Sequence, residues 1–133
     1  MNEPIQFAQA LADETRWRIL RLVFDDALCV CELADILQLP QSTLSSHLQV
    51  IRKANLLESE RCEKWVYYKV GKPFRSLLGS IFRHFETDPV QSARAQADAK
   101  IKSTRLAKRD DCDCPGPKTL PKLARQRSKA LVE

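Results

Sequence analysis

Two short apolar repeats flank a proline in Glu32-Leu33-Ala34-Asp35-Ile36-Leu37-Gln38-Leu39-Pro40-Gln41-Ser42-Thr43-Leu44-Ser45-Ser46-His47-Leu48. Pro40 cannot lie inside a helix, so the chain is expected to turn at 38–40. The apolar side chains recur at helical spacing on both sides of this turn: Leu33, Ile36 and Leu37 before it, and Leu44, Leu48 and Ile51 after it. The pattern predicts a helix over 31–37 and a second over 41–54, which together form a helix-turn-helix.

The outer face of the second predicted helix has an unusual composition. A solvated helix face normally carries Glu and Lys, whereas this face carries small, hydrogen-bonding and mostly uncharged side chains. Such side chains suit contacts with base edges and phosphates. We therefore predict a DNA-reading surface made of Gln41, Ser42, Thr43, Ser45, Ser46, His47 and Gln49.

A β-hairpin is predicted directly after this helix. Residues 65–70 are rich in aromatic and β-branched side chains, which favour strands, and residues 56–60 form the first arm. Arg61 and Lys64 lie near the tip of the hairpin, where they are candidates for DNA contacts. A hairpin in this position is a wing, so the fold class is mainly α with a small β-hairpin, a winged helix-turn-helix.

A further helix begins near Pro73 and has a long apolar stripe. The stripe consists of Phe74, Leu77, Leu78, Ile81, Phe82 and Phe85. It is wider than a small domain needs, so we predict a helix–helix interface between two copies, with a simple core helix as the alternative. Glu at Leu78 or Phe82 is expected to give monomers or aggregates.

Charge and hydrophobicity divide the chain near residue 85. The 133 residues carry a net charge of +5, of which residues 1–85 contribute +1 and residues 86–133 contribute +4. We predict a winged helix-turn-helix and dimerisation domain over 1–85, and a basic extension over 86–133 that starts as a helix and then becomes flexible. A basic chain has nucleic acid as a candidate partner.

Five cysteines cannot all pair with one another, and no signal peptide or membrane span is visible in the sequence. The chain is therefore expected in the cytoplasm, without a membrane partner and with its thiols reduced.

Two Cys-X-Cys motifs occur, the thiol pair Cys29 and Cys31 and the tail pair Cys112 and Cys114. Thiolates select soft ions, and a helix start stabilises thiolate. Side chains at i and i+2 of a helix point about 200° apart. One ion therefore binds both only if the first turn unwinds or if the pair precedes the helix.

The chain resembles the ArsR/SmtB family of winged-helix transcriptional repressors over about residues 5–85. The similar segments are 11–20, the box Leu28-Cys29-Val30-Cys31-Glu32-Leu33, the helix around Ser45-Ser46-His47-Leu48, and Trp65-Val66-Tyr67-Tyr68. The box resembles that of the arsenic-responsive branch. That branch usually has a third cysteine where this chain has Ala34, and it usually lacks a tail pair.

The resemblance implies a homodimer that binds a palindromic double-stranded operator and leaves it when a metalloid binds. We predict As(III) or Sb(III) as inducer, no organic cofactor and no enzyme activity, with metal ligands Cys29, Cys31, Cys112 and Cys114. Cys62 or a small-molecule thiol is an alternative third donor. Three other functions compete: a Cd(II), Pb(II) or Zn(II) sensor, a thiol redox sensor, and a partner-binding module with inert thiols.

Overall fold

The computed structural model describes residues 3–62 and 64–109. Six helices and one antiparallel hairpin follow one another in the order α1 Glu3–Leu11, α2 Glu14–Leu22, α3 Val30–Leu37, α4 Gln41–Lys53, β1 Leu57–Cys62, β2 Trp65–Val70, α5 Lys72–His84 and α6 Pro89–Ala107. This is the predicted order of helices and hairpin.

The first helical segment is divided into two helices at Asp13. Residues 7–24 have the apolar spacing of a helix, and the sequence places Asp13 where it is predicted to cap a helix through 15–18. In the structure, Asp13 has the extended backbone of an N-cap, with φ −144° and ψ 137°. Its Oδ2 accepts hydrogen bonds from the Thr15 N–H at 2.9 Å and the Arg16 N–H at 3.1 Å. The predicted capping role of Asp13 is confirmed. The first N–H groups of α2 have no carbonyl partner in a preceding turn of the same helix, and the Asp13 carboxylate accepts two of them, so a new helix starts here.

The helix-turn-helix consists of α3, a short turn and α4. Gln38 adopts a left-handed backbone with φ 57°, and the Leu39 N–H donates to the Ala34 carbonyl at 3.2 Å. This contact ends α3 and lets α4 start immediately after Pro40. The predicted inner faces of both helices are confirmed, since Leu33, Ile36, Leu37, Leu44, Leu48 and Ile51 are all buried.

The hairpin is joined to the start of the helix-turn-helix by a third extended segment. Within the hairpin, Leu57 pairs with Val70 and Cys62 pairs with Trp65. On its other edge, Tyr68 exchanges two backbone hydrogen bonds with Leu28, at 2.9 and 3.0 Å. The residue before Cys29 is therefore fixed against β2, which places the thiol pair beside the wing.

The apolar stripe of α5 divides between the core of this chain and the surface. Leu78 and Phe82 are 0% and 6% exposed, whereas Leu77 and Phe85 are 48% and 47% exposed. Trp17 and Phe24 pack edge-on against Phe82. The stripe as a whole is therefore not free for a partner, because half of it fills this chain's own core.

Helix α6 lies across α2 and α3. Asp88 is its N-cap, and the Asp88 Oδ1 accepts from the Val90 N–H at 3.0 Å. Asp98 binds Arg18 at 2.9 Å, and Lys102 binds Asp26 at 3.0 Å. The division at residue 85 stays a prediction, and residues 110–133 lie outside the described part of the chain. No described helix is long and apolar enough to cross a membrane.

Candidate DNA-reading face and thiol site

The outer face of α4 is open to solvent over most of the predicted DNA-reading surface. Thr43 and His47 are half-buried, and the exposed members are Gln41, Ser42, Ser45, Ser46 and Gln49. A groove of about 320 Å³ runs between this face and β2, lined by Ser45, Ser46, Gln49, Arg52 and Tyr68 among others. The arrangement presents hydroxyl and amide groups on an exposed helix face, and an α-helix is an element that the major groove of DNA admits.

His47 differs from its neighbours because its ring is turned toward α2. The Nδ1 atom lies 3.2 Å from Arg16 Nη1 and 3.8 Å from Asp13 Oδ2. Arg16 also donates two hydrogen bonds to the Gln9 carbonyl, at 2.8 and 3.1 Å. His47 therefore links α4 to the junction of α1 and α2, and its role toward DNA stays a prediction.

Four exposed cations lie in the wing and in the last turn of α4. Arg61 in β1 and Lys64 at the hairpin tip are exposed, as expected for a wing. Arg52 and Lys53 in the last turn of α4 are also exposed, and the Arg52 guanidinium lies 5.9 Å from the centre of the Tyr68 ring. The sequence analysis missed Arg52 and Lys53, although their position just after Ile51 marks them as the outer end of the same helix.

The thiol pair lies at the start of α3, and its two side chains have different surroundings. Cys29 is the N-cap, with φ −92° and ψ 169°, and it is buried against Ala27 and Tyr67. Cys31 lies in the first turn and is half-buried, and its Sγ accepts a hydrogen bond from Gln41 Nε2 at 3.4 Å. Cys31 also packs against the cluster of Ala27, Cys29 and Tyr67, so both thiols lie beside the wing and Cys31 in addition contacts the start of α4.

Of the three cysteines outside this pair, Cys62 lies near it. Cys62 at the end of β1 packs against the same group of Ala27, Cys29 and Tyr67. Across residues 3–62 and 64–109, no three His, Cys, Asp or Glu side chains are arranged to hold a metal ion. Cys112 and Cys114 lie outside the described residues, so the predicted ligand set stays a prediction.

A buried ion pair stands beside the thiol pair, and the sequence analysis did not find it. Glu32 is fully buried, and Arg109 Nε and Nη2 donate to its two carboxylate oxygens at 2.6 and 2.9 Å. Burial alone lowers the pKa of Arg109, but the hydrogen bond to Glu32 and the negative charge of Glu32 raise it above its ordinary value. The only sequence signal was an acidic residue at the third position of a helix, which is also common in capping boxes.

Comparison with known proteins agrees with this architecture. Residues 13–59 match the family described as "Bacterial regulatory protein, arsR family". The chain is 42% identical over 71 residues to the arsenic resistance transcriptional regulator ArsR1 of Pseudomonas putida, a match that covers 53% of this chain and 55% of that protein. It therefore spans little more than half the length of that relative.

Two further similarities extend over most of the compared protein. The HTH-type transcriptional regulator YbzH of Bacillus subtilis is 32% identical, with 50% of this chain and 82% of that protein covered. The solved structure of reduced HlyU from Vibrio cholerae is 28% identical, with a TM-score of 0.57 over 62% of this chain and 88% of that chain. The predicted winged helix-turn-helix is confirmed, and the family is one of transcriptional regulators, not enzymes. The chain belongs to the arsR family of bacterial regulatory proteins.

Proposed function

We propose that the protein is a cytoplasmic transcriptional repressor that binds a palindromic operator as a homodimer and leaves it when arsenite or antimonite binds its cysteine thiolates. One observation carries this proposal: the Cys31 sulfur contacts Gln41, the first residue of the helix that presents the DNA-reading face. A ligand on this sulfur removes the acceptor of the Gln41 amide. Occupancy of the thiol pair is thereby communicated directly to α4.

The DNA-binding part of the proposal rests on the polar face of α4 and the cations around it. Replacing Ser45 or Ser46 with Glu sets a carboxylate against phosphates or base edges, so operator affinity should be lost while the fold remains. Ser103→Glu, at an exposed position on α6, is the matched control and should bind like wild type. Fluorescence anisotropy with a labelled palindromic duplex measures the difference. Wild-type affinity in both α4 variants would reject this face.

The homodimer part rests on the exposed half of the α5 stripe. Leu77 and Phe85 leave apolar surface in water, and Ile81 lies half-buried on the same helix. Two copies that cover this surface form an isologous interface with two-fold symmetry. That symmetry sets two copies of α4 about one DNA turn, or a small multiple of it, apart, which matches a palindromic site.

The inducer part requires the two sulfurs of the thiol pair to converge. Cys29 is the N-cap that precedes α3, and Cys31 lies in the first turn with Gln41 on its sulfur. An ion bonded to both sulfurs therefore acts on residues 29–31 and on the contact between Cys31 and Gln41. A 100-fold loss of operator affinity needs a coupling free energy of only about 2.7 kcal/mol. Distortion of the turn that precedes α4 is sufficient to supply an energy of that size.

As(III) takes three sulfurs, and the tail pair is the proposed source of the third. Arg109 is anchored on Glu32 beside the thiol pair, and Cys112 follows it by three residues and Cys114 by five. An extended chain spans about 3.6 Å per residue, so Cys112 lies within about 11 Å of the Arg109 Cα and Cys114 within about 18 Å. The short tether supports a donor from the same subunit. Cys62, which packs on the Cys29 cluster, is the competing donor.

Operator release against a series of inducers tests the whole proposal. Cys29→Ser and Cys31→Ser should remain on the operator at arsenite concentrations that release wild type, because both variants lose a ligand but no DNA contact. Truncation after Asp110 should weaken the arsenite response, and Cys62→Ser is the matched single-thiol control. Wild-type release in the Cys29 and Cys31 variants would reject the site.

The same titration separates the competing sensors. Release by Cd(II), Pb(II) or Zn(II) in preference to arsenite would indicate a site of four thiolates from both pairs. Release by peroxide that dithiothreitol reverses would indicate a redox sensor. An unchanged arsenite response in the truncated chain together with a lost response in Cys62→Ser would assign the third sulfur to Cys62.

A further inference from the structure

The ion pair between Glu32 and Arg109, which we call the clamp, joins the end of α6 to the first turn of α3. Glu32 is 0% exposed and Arg109 is 8% exposed. Arg109 Nη2 also donates to the Ala27 carbonyl at 2.6 Å, and its guanidinium lies 5.4 Å from the centre of the Tyr67 ring. A buried, two-pronged Arg–carboxylate contact is specific in geometry and is lost when either partner shifts.

The clamp also holds the backbone of the thiol pair. Glu32 Oε1, which accepts from Arg109 Nη2, accepts the Cys29 N–H as well, at 3.2 Å. Cys29, Glu32 and Arg109 therefore form one continuous chain of hydrogen bonds. A backbone rearrangement of residues 29–31 that brings the two sulfurs onto one ion moves the Cys29 N–H and thus disturbs the carboxylate that anchors α6, whereas a side-chain rotation of Cys29 alone does not.

A second contact connects the same helices one turn further along. Arg105 Nε donates to Asp35 Oδ2 at 2.8 Å, and Arg105 Nη1 lies 3.9 Å from Glu32 Oε2. Away from α3, α6 is attached to α2 by Arg18 and Asp98. Side-chain ion pairs thus attach the end of α6 to α3 and its middle to α2.

We infer that Arg109 is a positioning residue for the thiol site, and that ligand binding to Cys29 and Cys31 and closure of the clamp exclude each other. With the clamp closed, α3 and α4 keep the arrangement described above. Binding of a soft ion opens the clamp and frees the end of α6. The inference rests on the proposed thiol site, and it adds a second, buried route by which that site acts on the rest of the fold.

Hydrogen exchange of the full-length protein, measured by mass spectrometry with and without arsenite, tests this coupling. The ultraviolet absorption of arsenic–sulfur bonds reports binding in the same samples. In wild type, arsenite should speed exchange of residues 105–109 and 30–33 by about tenfold, within the usual range of allosteric couplings. The middle of α6 should keep its protection.

Two variants make the test specific. Glu32→Gln with Arg109→Gln removes both charges together, so no buried charge is left unpaired, and a glutamine oxygen still accepts the Cys29 N–H. In this double variant residues 105–109 should exchange fast already without arsenite and should not respond further. Arg18→Gln with Asp98→Asn is the matched control, because it removes both charges of a two-pronged α6 ion pair that does not touch α3.

The outcomes distinguish the clamp from the site. If wild type shows an arsenic–sulfur band but unchanged protection of residues 105–109, the inferred coupling between the clamp and the thiol site is wrong. The proposed thiol site is then still supported. A control variant, Arg18→Gln with Asp98→Asn, that behaves like the Glu32/Arg109 variant also overturns the coupling, since α6 then undocks as a unit. No band with arsenite, and none with Cd(II), overturns the thiol site and the clamp together. If the Glu32/Arg109 variant does not fold, Arg109→Lys, which keeps the charge and loses the two-pronged contact, should show the same change to a smaller extent.

Discussion

Leu77 and Leu78 are neighbours on α5 that the structure assigns to opposite roles. One residue step turns a helix by about 100°, so the two side chains point in different directions. Leu78 is 0% exposed in the core of this chain, whereas Leu77 is 48% exposed. Replacing each by Ala, and then by Glu, separates the stability of the fold from the stability of the dimer.

The two positions should differ in size of effect. Leu78→Ala leaves a cavity in a closed site and should cost about 2–5 kcal/mol of unfolding free energy. Leu77→Ala removes a side chain that is only half-covered, so it should cost about 1 kcal/mol or less within one subunit. Leu78→Glu buries a carboxylate without a partner, a cost comparable to the whole stability of a small domain, about 5–15 kcal/mol. Leu78→Glu should therefore unfold or aggregate instead of giving a folded monomer. The same holds for Phe82→Glu, because Phe82 is also buried. Of the two outcomes expected from the sequence, monomers or aggregates, the structure thus favours aggregates.

Urea unfolding at several protein concentrations, together with sedimentation, decides between these effects. Leu77→Glu should be folded, with a sedimentation coefficient that falls to that of a monomer and an unfolding midpoint that no longer depends on concentration. A folded, soluble monomer from Leu78→Glu would refute the core assignment of Leu78. An unchanged dimer in Leu77→Glu would show that the exposed half of the stripe is not the interface.

Three further results are expected. Asp13→Ala removes the cap between α1 and α2 and should lower unfolding free energy by about 1 kcal/mol, measured by urea titration; an effect near zero would show that the cap is dispensable. Operator affinity should fall steeply with salt, and Arg52→Gln should flatten the slope of log affinity against log salt by about one, whereas an unchanged slope removes Arg52 from the phosphate contacts. Burial raises the pKa of Asp25 above its ordinary value despite the opposing charges of Lys102 and Arg75. Asp25 therefore holds its proton more tightly in the native state than in the unfolded state. Wild type should therefore lose stability relative to Asp25→Asn as pH rises from about 3.9 through the raised native pKa, and parallel stability curves would contradict this.

The sequence by itself determined the elements that depend on local periodicity. The inner faces of α3 and α4, the turn before Pro40, the Asp13 cap and the strands of the wing all follow from apolar spacing and backbone preferences within a few residues. The exposed polar face of α4 follows from the same spacing, because a helix with one buried side must show the other. The family resemblance followed from these segments in their order.

Only the tertiary structure decided which distant residues meet. Glu32 and Arg109 are 77 residues apart, and neither belongs to a motif that predicts the other. The division of the α5 stripe between core and surface depends on where Trp17 and Phe24 pack, and the contact of Cys31 with Gln41 depends on the angle between α3 and α4. Periodicity describes which side of an element is buried, but it contains no information on the neighbour that buries it, since that neighbour is set by packing of the whole chain.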